Sequence, residues 1–257
     1  MEARMKKQKS RSQCAYFGIR TVQSRDHVVP KALFGKPTPQ NVVTVGACME
    51  CNQAKSPCDD YHRDCLACDV RVSTNPIAKA LKAGAIGRSV ETNRSILSRQ
   101  AVRHGRLTPM LTPRGLYVGR CVSVRVSADR IAGALWFMVR GLYHHLTKTM
   151  LPDTYVYAIC PVHSEHCDTT FDEFWKSGTP DVVAIGESVF EAKYNIWSED
   201  HFTTNWCLRF YGRIVYCVYV ASSANAQQHL IPTLGAAASP ASPVGLPVII
   251  TPESLGM

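Results

Sequence analysis

Four polar residues near the N-terminus have types and spacing suited to work on a phosphodiester: Asp26, His27, Asn41 and Asn52, in the order D-H-x13-N-x10-N. A phosphodiester resists hydrolysis because its negative charge repels nucleophiles and its leaving alkoxide is poor. A hard divalent cation held by oxygen donors offsets that charge. The Asp26 carboxylate and the Asn52 amide oxygen are donors of that kind. A base must also take a proton from the attacking water, and histidine titrates closest to neutral pH. Taken singly, each residue has a plainer reading as a turn residue or a helix cap. In register, with C-x-x-C at Cys48–Cys51 directly before Asn52, they favour a site.

This order, with Cys48-Met-Glu-Cys51-Asn52 and Lys55 behind it, resembles the HNH endonuclease superfamily and its ββα-metal motif. The resemblance implies His27 as general base and Asn41 as the residue that holds the loop and orients the His27 ring. It implies Asp26 and Asn52 as ligands of a catalytic Mg²⁺ or Mn²⁺, and DNA as the partner. The wider run Lys31–Asp64, with L-F, T-P-x-N-x-x-T-V and D-D-Y-x-R-D, is similar to a subgroup of bacterial HNH proteins with a larger C-terminal region.

Many HNH proteins also carry C-x-x-C-G upstream, a zinc knuckle paired with the later C-x-x-C. Here the stretch reads Cys14-Ala-Tyr-Phe17-Gly18, so Phe17 stands where the fourth ligand belongs. Two readings stay open. Cys58, His62 or Cys65 completes a tetrahedral Zn²⁺ site with Cys14, Cys48 and Cys51. Alternatively, the metal is lost and the three cysteines join Phe17 in a small apolar core.

These residues need elements to hold them. Neighbours alternate faces on a strand, so Asp26 and His27 together predict a distorted strand end after the run Ile19–Gln23. Val42–Val45 predicts the second strand. Pro57–Val70 predicts a helix with Pro57 in its first turn and Asp59 and Asp60 near its N-terminal dipole.

The composition suits a nucleic-acid partner. The 257 residues carry a formal charge of +9, which favours a polyanion. With 46% hydrophobic and 19% charged residues the chain is globular rather than disordered. No secretory signal and no membrane-spanning run is visible, so the eleven cysteines are expected as thiols or metal ligands in the cytoplasm. Two symmetric cuts in a duplex would ask for a homodimer.

The expected fold class is α+β, an N-terminal ββα-metal module followed by a larger domain of helix and antiparallel sheet. Residues 1–11 form a basic arm, 12–70 the HNH module, 71–221 a helical linker and C-terminal α+β domain, and 222–257 a flexible Ala/Ser/Pro tail. Arg88, Arg94, Arg99, Arg103 and Arg106 are expected at DNA phosphates, as are Arg25, Lys31 and Lys55 beside the motif. Leu107–Val126 reads as extended structure and Asp129–Thr147 as the longest helix, with turns near Gly186 and Gly212 joining antiparallel strands. The cluster C-x-x-H-x-x-H-C at Cys160–Cys167 would need a tight wrap to close one tetrahedral metal site, and it reads rather as a polar loop with incidental cysteines. A competing class is a catalytically inactive nucleic-acid-binding protein on the same scaffold.

Overall fold

A computed structural model describes residues 13–92, 95–112, 114–162, 166, 170–172, 181–225 and 248–250. The basic arm at 1–11, Arg94 and half of the Cys160–Cys167 stretch (163–165 and 167) lie outside them. The chain is α+β. It opens with a hairpin of β1 (Ser24–His27) and β2 (Thr44–Ala47), followed by helix α1 (Met49–Cys68). Five short helical pieces come next, including α2 (Pro76–Leu81), α3 (Gly87–Glu91) and α4 (Ile96–His104). A second hairpin, β3 (Arg106–Leu111) and β4 (Tyr117–Ser123), precedes helix α5 (Ala128–Thr147).

The remainder is one antiparallel sheet. Its strands are β5 (Tyr155–Pro161), β6 (Asp181–Ile185), β7 (Phe190–Ile196), β8 (Thr204–Phe210), β9 (Ile214–Ser222) and β10 (Val248–Ile250), in the order β10-β5-β9-β8-β7-β6. Tight turns at Gly186 and at Tyr211-Gly212 join their strands. Gly186, Tyr211 and Gly212 take φ of 62°, 51° and 68°, the left-handed region that tight hairpin turns demand. Val248–Ile250 pairs with β5, so the tail expected to be flexible over 222–257 contributes an edge strand. The rest of that tail beyond 225 lies outside the described residues.

Helix α5 sits between the N-terminal unit and the sheet. Every residue from Ile131 to Tyr143 is buried, where amphipathic periodicity predicts only a stripe. Two layers press on it from different sides, which leaves no wet face along that stretch. Arg140 is therefore 1% exposed and must find partners. Its guanidinium donates to Leu151 O at 2.6 Å and Asp153 Oδ1 at 2.7 Å, and lies over Trp136. Close approach requires Gly141: a Cβ there would stand 2.8 Å from both methyls of Val28.

One apolar core runs from Cys14 to Ile250, so no gap in packing separates the region before residue 70 from the region after it. A second, smaller core lies on the far face of the sheet, where Cys160, Cys207 and Cys217 join Phe171 and Val215.

Helix α1 also starts earlier than expected. Cys48 caps it, its sulfur accepting from Cys51 N–H at 3.4 Å, and Pro57 is an interior residue of a 20-residue helix. The missing proline N–H costs one helical hydrogen bond; packing of α1 against α5 and the first hairpin outweighs it.

Candidate functional site

The β1–β2 hairpin is regular. Ser24, Arg25, Asp26 and His27 pair with Ala47, Gly46, Val45 and Thr44, and Val28 N–H continues the ladder to Val43 O at 3.0 Å. The expected distortion at His27 is absent. Alternation therefore holds, and Asp26 and His27 point to opposite faces.

On the Asp26 face, helix α1 lays three side chains against the strand. Asn52 Nδ2 donates to Ser24 Oγ at 3.3 Å. One turn on, Lys55 Nζ lies 3.3 Å from Asp26 Oδ2, donates to His27 O at 2.9 Å and bonds Asp59 Oδ2. Tyr16 closes the group by donating its phenol proton to Asp26 Oδ2.

This cluster is nearly dry. Lys55 is 1% exposed and the Asp26 side chain 11%. Burial is the leading influence on Asp59 and pushes its carboxyl up to about 7, against the pull of Lys55. Burial and the neighbouring Asp26 charge likewise hold the Tyr16 phenol well above its ordinary value. One ammonium thus opposes two carboxyl groups. Lys55 is not available to DNA, contrary to the expectation that it contacts phosphate, because its long stem and charge are enclosed.

His27 is half-buried, and no described residue hydrogen-bonds its ring. Asn41 does not orient it. Its amide instead donates to Ala184 O in β6 at 2.8 Å, tying the loop to the sheet. The structure brings together Asp26, Asn52 and Lys55, and leaves His27 and Asn41 outside that group.

Oxygen donors for a hard cation are present on the Asp26 face. Asp26 Oδ1 and Asn52 Oδ1 accept no hydrogen bond from any described residue, and Lys55 keeps Asp59 as a partner if Asp26 turns to an ion. Both are oxygen donors of the kind that hard cations take.

A separate metal-like group lies beneath the hairpin. The sulfurs of Cys14, Cys48 and Cys51 lie within 4.8 Å of one another, all buried. The Cys51 thiol donates toward Cys14, which with backbone amides lowers the Cys14 thiol to about 5 and raises that of Cys51. Thiolate character is what zinc requires. Neither Cys58, His62 nor Cys65 joins this group. His62 instead packs its ring on Phe210 and Tyr216, 5.1 and 5.7 Å between centroids. Phe17 is buried against Trp136, with the guanidinium groups of Arg20 and Arg140 each 5.5 Å from its ring centre.

The cationic residues expected at phosphates divide. Arg25, Lys31, Arg88, Arg99, Arg103 and Arg106 are exposed. Arg25 bonds Thr44 Oγ1 at 2.9 Å across the hairpin; the others have no ion pair among the described residues. The second hairpin adds Arg114 and Arg120, also exposed, which the sequence pattern had placed only in extended structure.

No helix among the described residues is long and apolar enough to cross a membrane. No family model, no curated protein and no solved structure matches this chain.

Proposed function

We propose that the chain is a metal-dependent endonuclease of the HNH type, acting on DNA phosphodiesters. The observation that carries this reading is the hairpin-then-helix order, which puts Asp26 and Asn52 on one face with unengaged oxygens. A Mg²⁺ or Mn²⁺ bound there would supply charge neutralisation at the phosphate and the leaving oxygen. The protein's own residues would hold and orient. Lys55 pairs with the Asp26 carboxylate, and Ser24 accepts a hydrogen bond from the Asn52 amide, which leaves the amide oxygen unengaged. The His27 ring, which no described residue hydrogen-bonds, would take a proton from water. A zinc ion at Cys14, Cys48 and Cys51 would be structural, lying in the packing beneath the hairpin.

A second reading has its own support. His27 sits on the opposite face of β1 from Asp26, and Lys55 already meets the Asp26 charge. Those features suit a nucleic-acid-binding protein that retains the scaffold without the reaction.

Plasmid nicking separates the two. The nuclease reading expects cleavage with Mg²⁺ or Mn²⁺ and none with chelator. It expects a loss of about 10²–10⁴-fold in His27→Ala, with DNA affinity retained. Binding without cleavage by the wild type establishes the second reading; equal cleavage by both proteins removes His27 from the chemistry.

A further inference from the structure

We propose that the β3–β4 hairpin is a DNA-binding arm whose arginines lie along the phosphates while its apolar tip enters a groove of the duplex. This rests on the nucleic-acid reading above and assigns it a contact surface apart from Asp26 and Asn52.

The arm is built unlike the rest of the protein. Among the described residues, strands β3 and β4 pair only with each other, and no described strand covers either outer edge. Leu107, Leu111, Leu116 and Tyr117 are 71%, 57%, 67% and 56% exposed, an apolar set that no described residue covers. Hydrogen bonds between Thr112 and Leu116 close the hairpin. Thr112 N–H donates to Leu116 O at 2.8 Å, Leu116 N–H to Thr112 Oγ1 at 3.0 Å, and Gly115 takes φ of 79° to close the turn.

The charge names the occupant. Between Glu91 and Asp129 the chain carries seven arginines and no carboxylate. No ion pair engages Arg106, Arg114 or Arg120 among the described residues, and all three are exposed. A second copy of the chain docking here would bring the same positive surface against this one, which costs free energy. A polyanion is attracted. A two-stranded ribbon fits the major groove of B-form DNA, and leucine side chains serve as wedges between base steps in the minor groove. A basic ribbon with exposed apolar side chains at its tip thus matches a duplex in both charge and shape.

Position agrees with a shared footprint. The hairpin faces the far end of α1 across a cleft of about 930 Å³, lined by Cys68, Lys79, Lys82 and Met110 among others. Asn52 lies sixteen residues earlier on that helix, a rise of about 24 Å. Along a duplex this corresponds to about seven base pairs at 3.4 Å each. A single bound duplex could therefore meet both places.

The test is fluorescence anisotropy with a short fluorescein-labelled DNA duplex, full-length protein and chelator, over a salt series. Substituting Arg106→Gln, Arg114→Gln and Arg120→Gln together should weaken binding at least tenfold. It should also reduce the slope of log affinity against log salt by about 2.7, three contacts at about 0.9 each. Leu111→Ser with Leu116→Ser and Tyr117→Ser should weaken binding with the slope unchanged, because no counterion is released by an apolar contact. If the triple arginine variant melts below the wild type, Arg114→Gln alone is read, with an expected slope change of about 0.9. Arginine variants that bind with the wild-type slope overturn the arm while leaving DNA binding in place. A wild type that binds no duplex overturns both readings, and capture of an acidic protein would then account for the charge. Apolar variants that bind as the wild type overturn the entry of the tip.

Discussion

The β1–β2 and β3–β4 hairpins are both two-stranded and antiparallel, and they meet their surroundings in opposite ways. An isolated hairpin is marginally stable in water and needs a third layer to persist. The first has one: α1 and α5 cover it, and its inward charge is met by Lys55, with Tyr16 donating to the same carboxylate. The second leaves leucine and tyrosine in water and its arginines without ion pairs among the described residues. Covered charge has been matched inside the protein. Uncovered charge of one sign waits for matching from outside.

The largest test of this contrast is Lys55→Met. Removing the ammonium leaves Asp26 and Asp59 buried without a counter-charge, which should cost about 3–5 kcal/mol of stability. Urea unfolding checks it through the midpoint. Asp59, already held near 7 by burial, can relieve part of the cost by staying protonated, so the loss should be larger at pH 8 than at pH 5. A change below about 1 kcal/mol at both pH values would mean that water reaches the cluster and that the first hairpin is not dry.

An effect of similar size, set by pH, comes from the same face of α1 about two turns on from Lys55. His62 is fully enclosed, neither ring nitrogen has a partner, and burial lowers its pKa to about 3. The unfolded chain takes up a proton below about pH 6.5 that the folded one refuses. Stability from this group is therefore complete above pH 6.5 and declines as pH falls toward 3, by about 4 kcal/mol at the acid end. Thermal or urea melts of wild type and His62→Leu across that range should diverge in slope. Parallel pH profiles would show that His62 opens to solvent and that α1 is loosely seated on the sheet.

The smallest effect should come from the second hairpin. Tyr117→Ser or Arg120→Gln should alter stability by less than about 0.5 kcal/mol, since neither side chain is covered. A cost above about 1.5 kcal/mol by the same melts would mean that the arm packs on the body and that the two hairpins are alike.

Much of the framework was legible because its signals are local. Gly186 and Tyr211-Gly212 announce their turns, and Ser127 with the apolar run after it announces α5. Less local features were harder to read. Pro57 looked like a helix start, yet the sulfur of Cys48 caps the helix nine residues earlier, a cap that pattern reading does not weigh. Val248–Ile250 is too short to stand out, and only β5 makes it a strand.

At the candidate site, spacing pointed to Asp26 and Asn52, which do share a face. The burial of Lys55 was not legible, because it depends on Asp59 one helical turn away and on Tyr16 across the fold. Asn41 was read toward His27; its partner Ala184 lies 143 residues along the chain, and no motif records such a contact. The exclusion of Cys58, His62 and Cys65 from the three-thiol group has the same origin, since the aromatic rings of β8 and β9 claim His62.

The segment between β1 and β2 is fastened to the large sheet at three points. Asn41 holds Ala184 O, Tyr211 donates to Leu33 O at 2.9 Å, and Gly186 leaves room for Phe34 and Pro39. The motif is thus not a portable cassette. A fragment cut after α1 would keep every residue of the D-H-N-N pattern and lose the floor on which their loop rests. Strands that contribute no side chain to the Asp26–Asn52 face still set the shape of the chain that frames it.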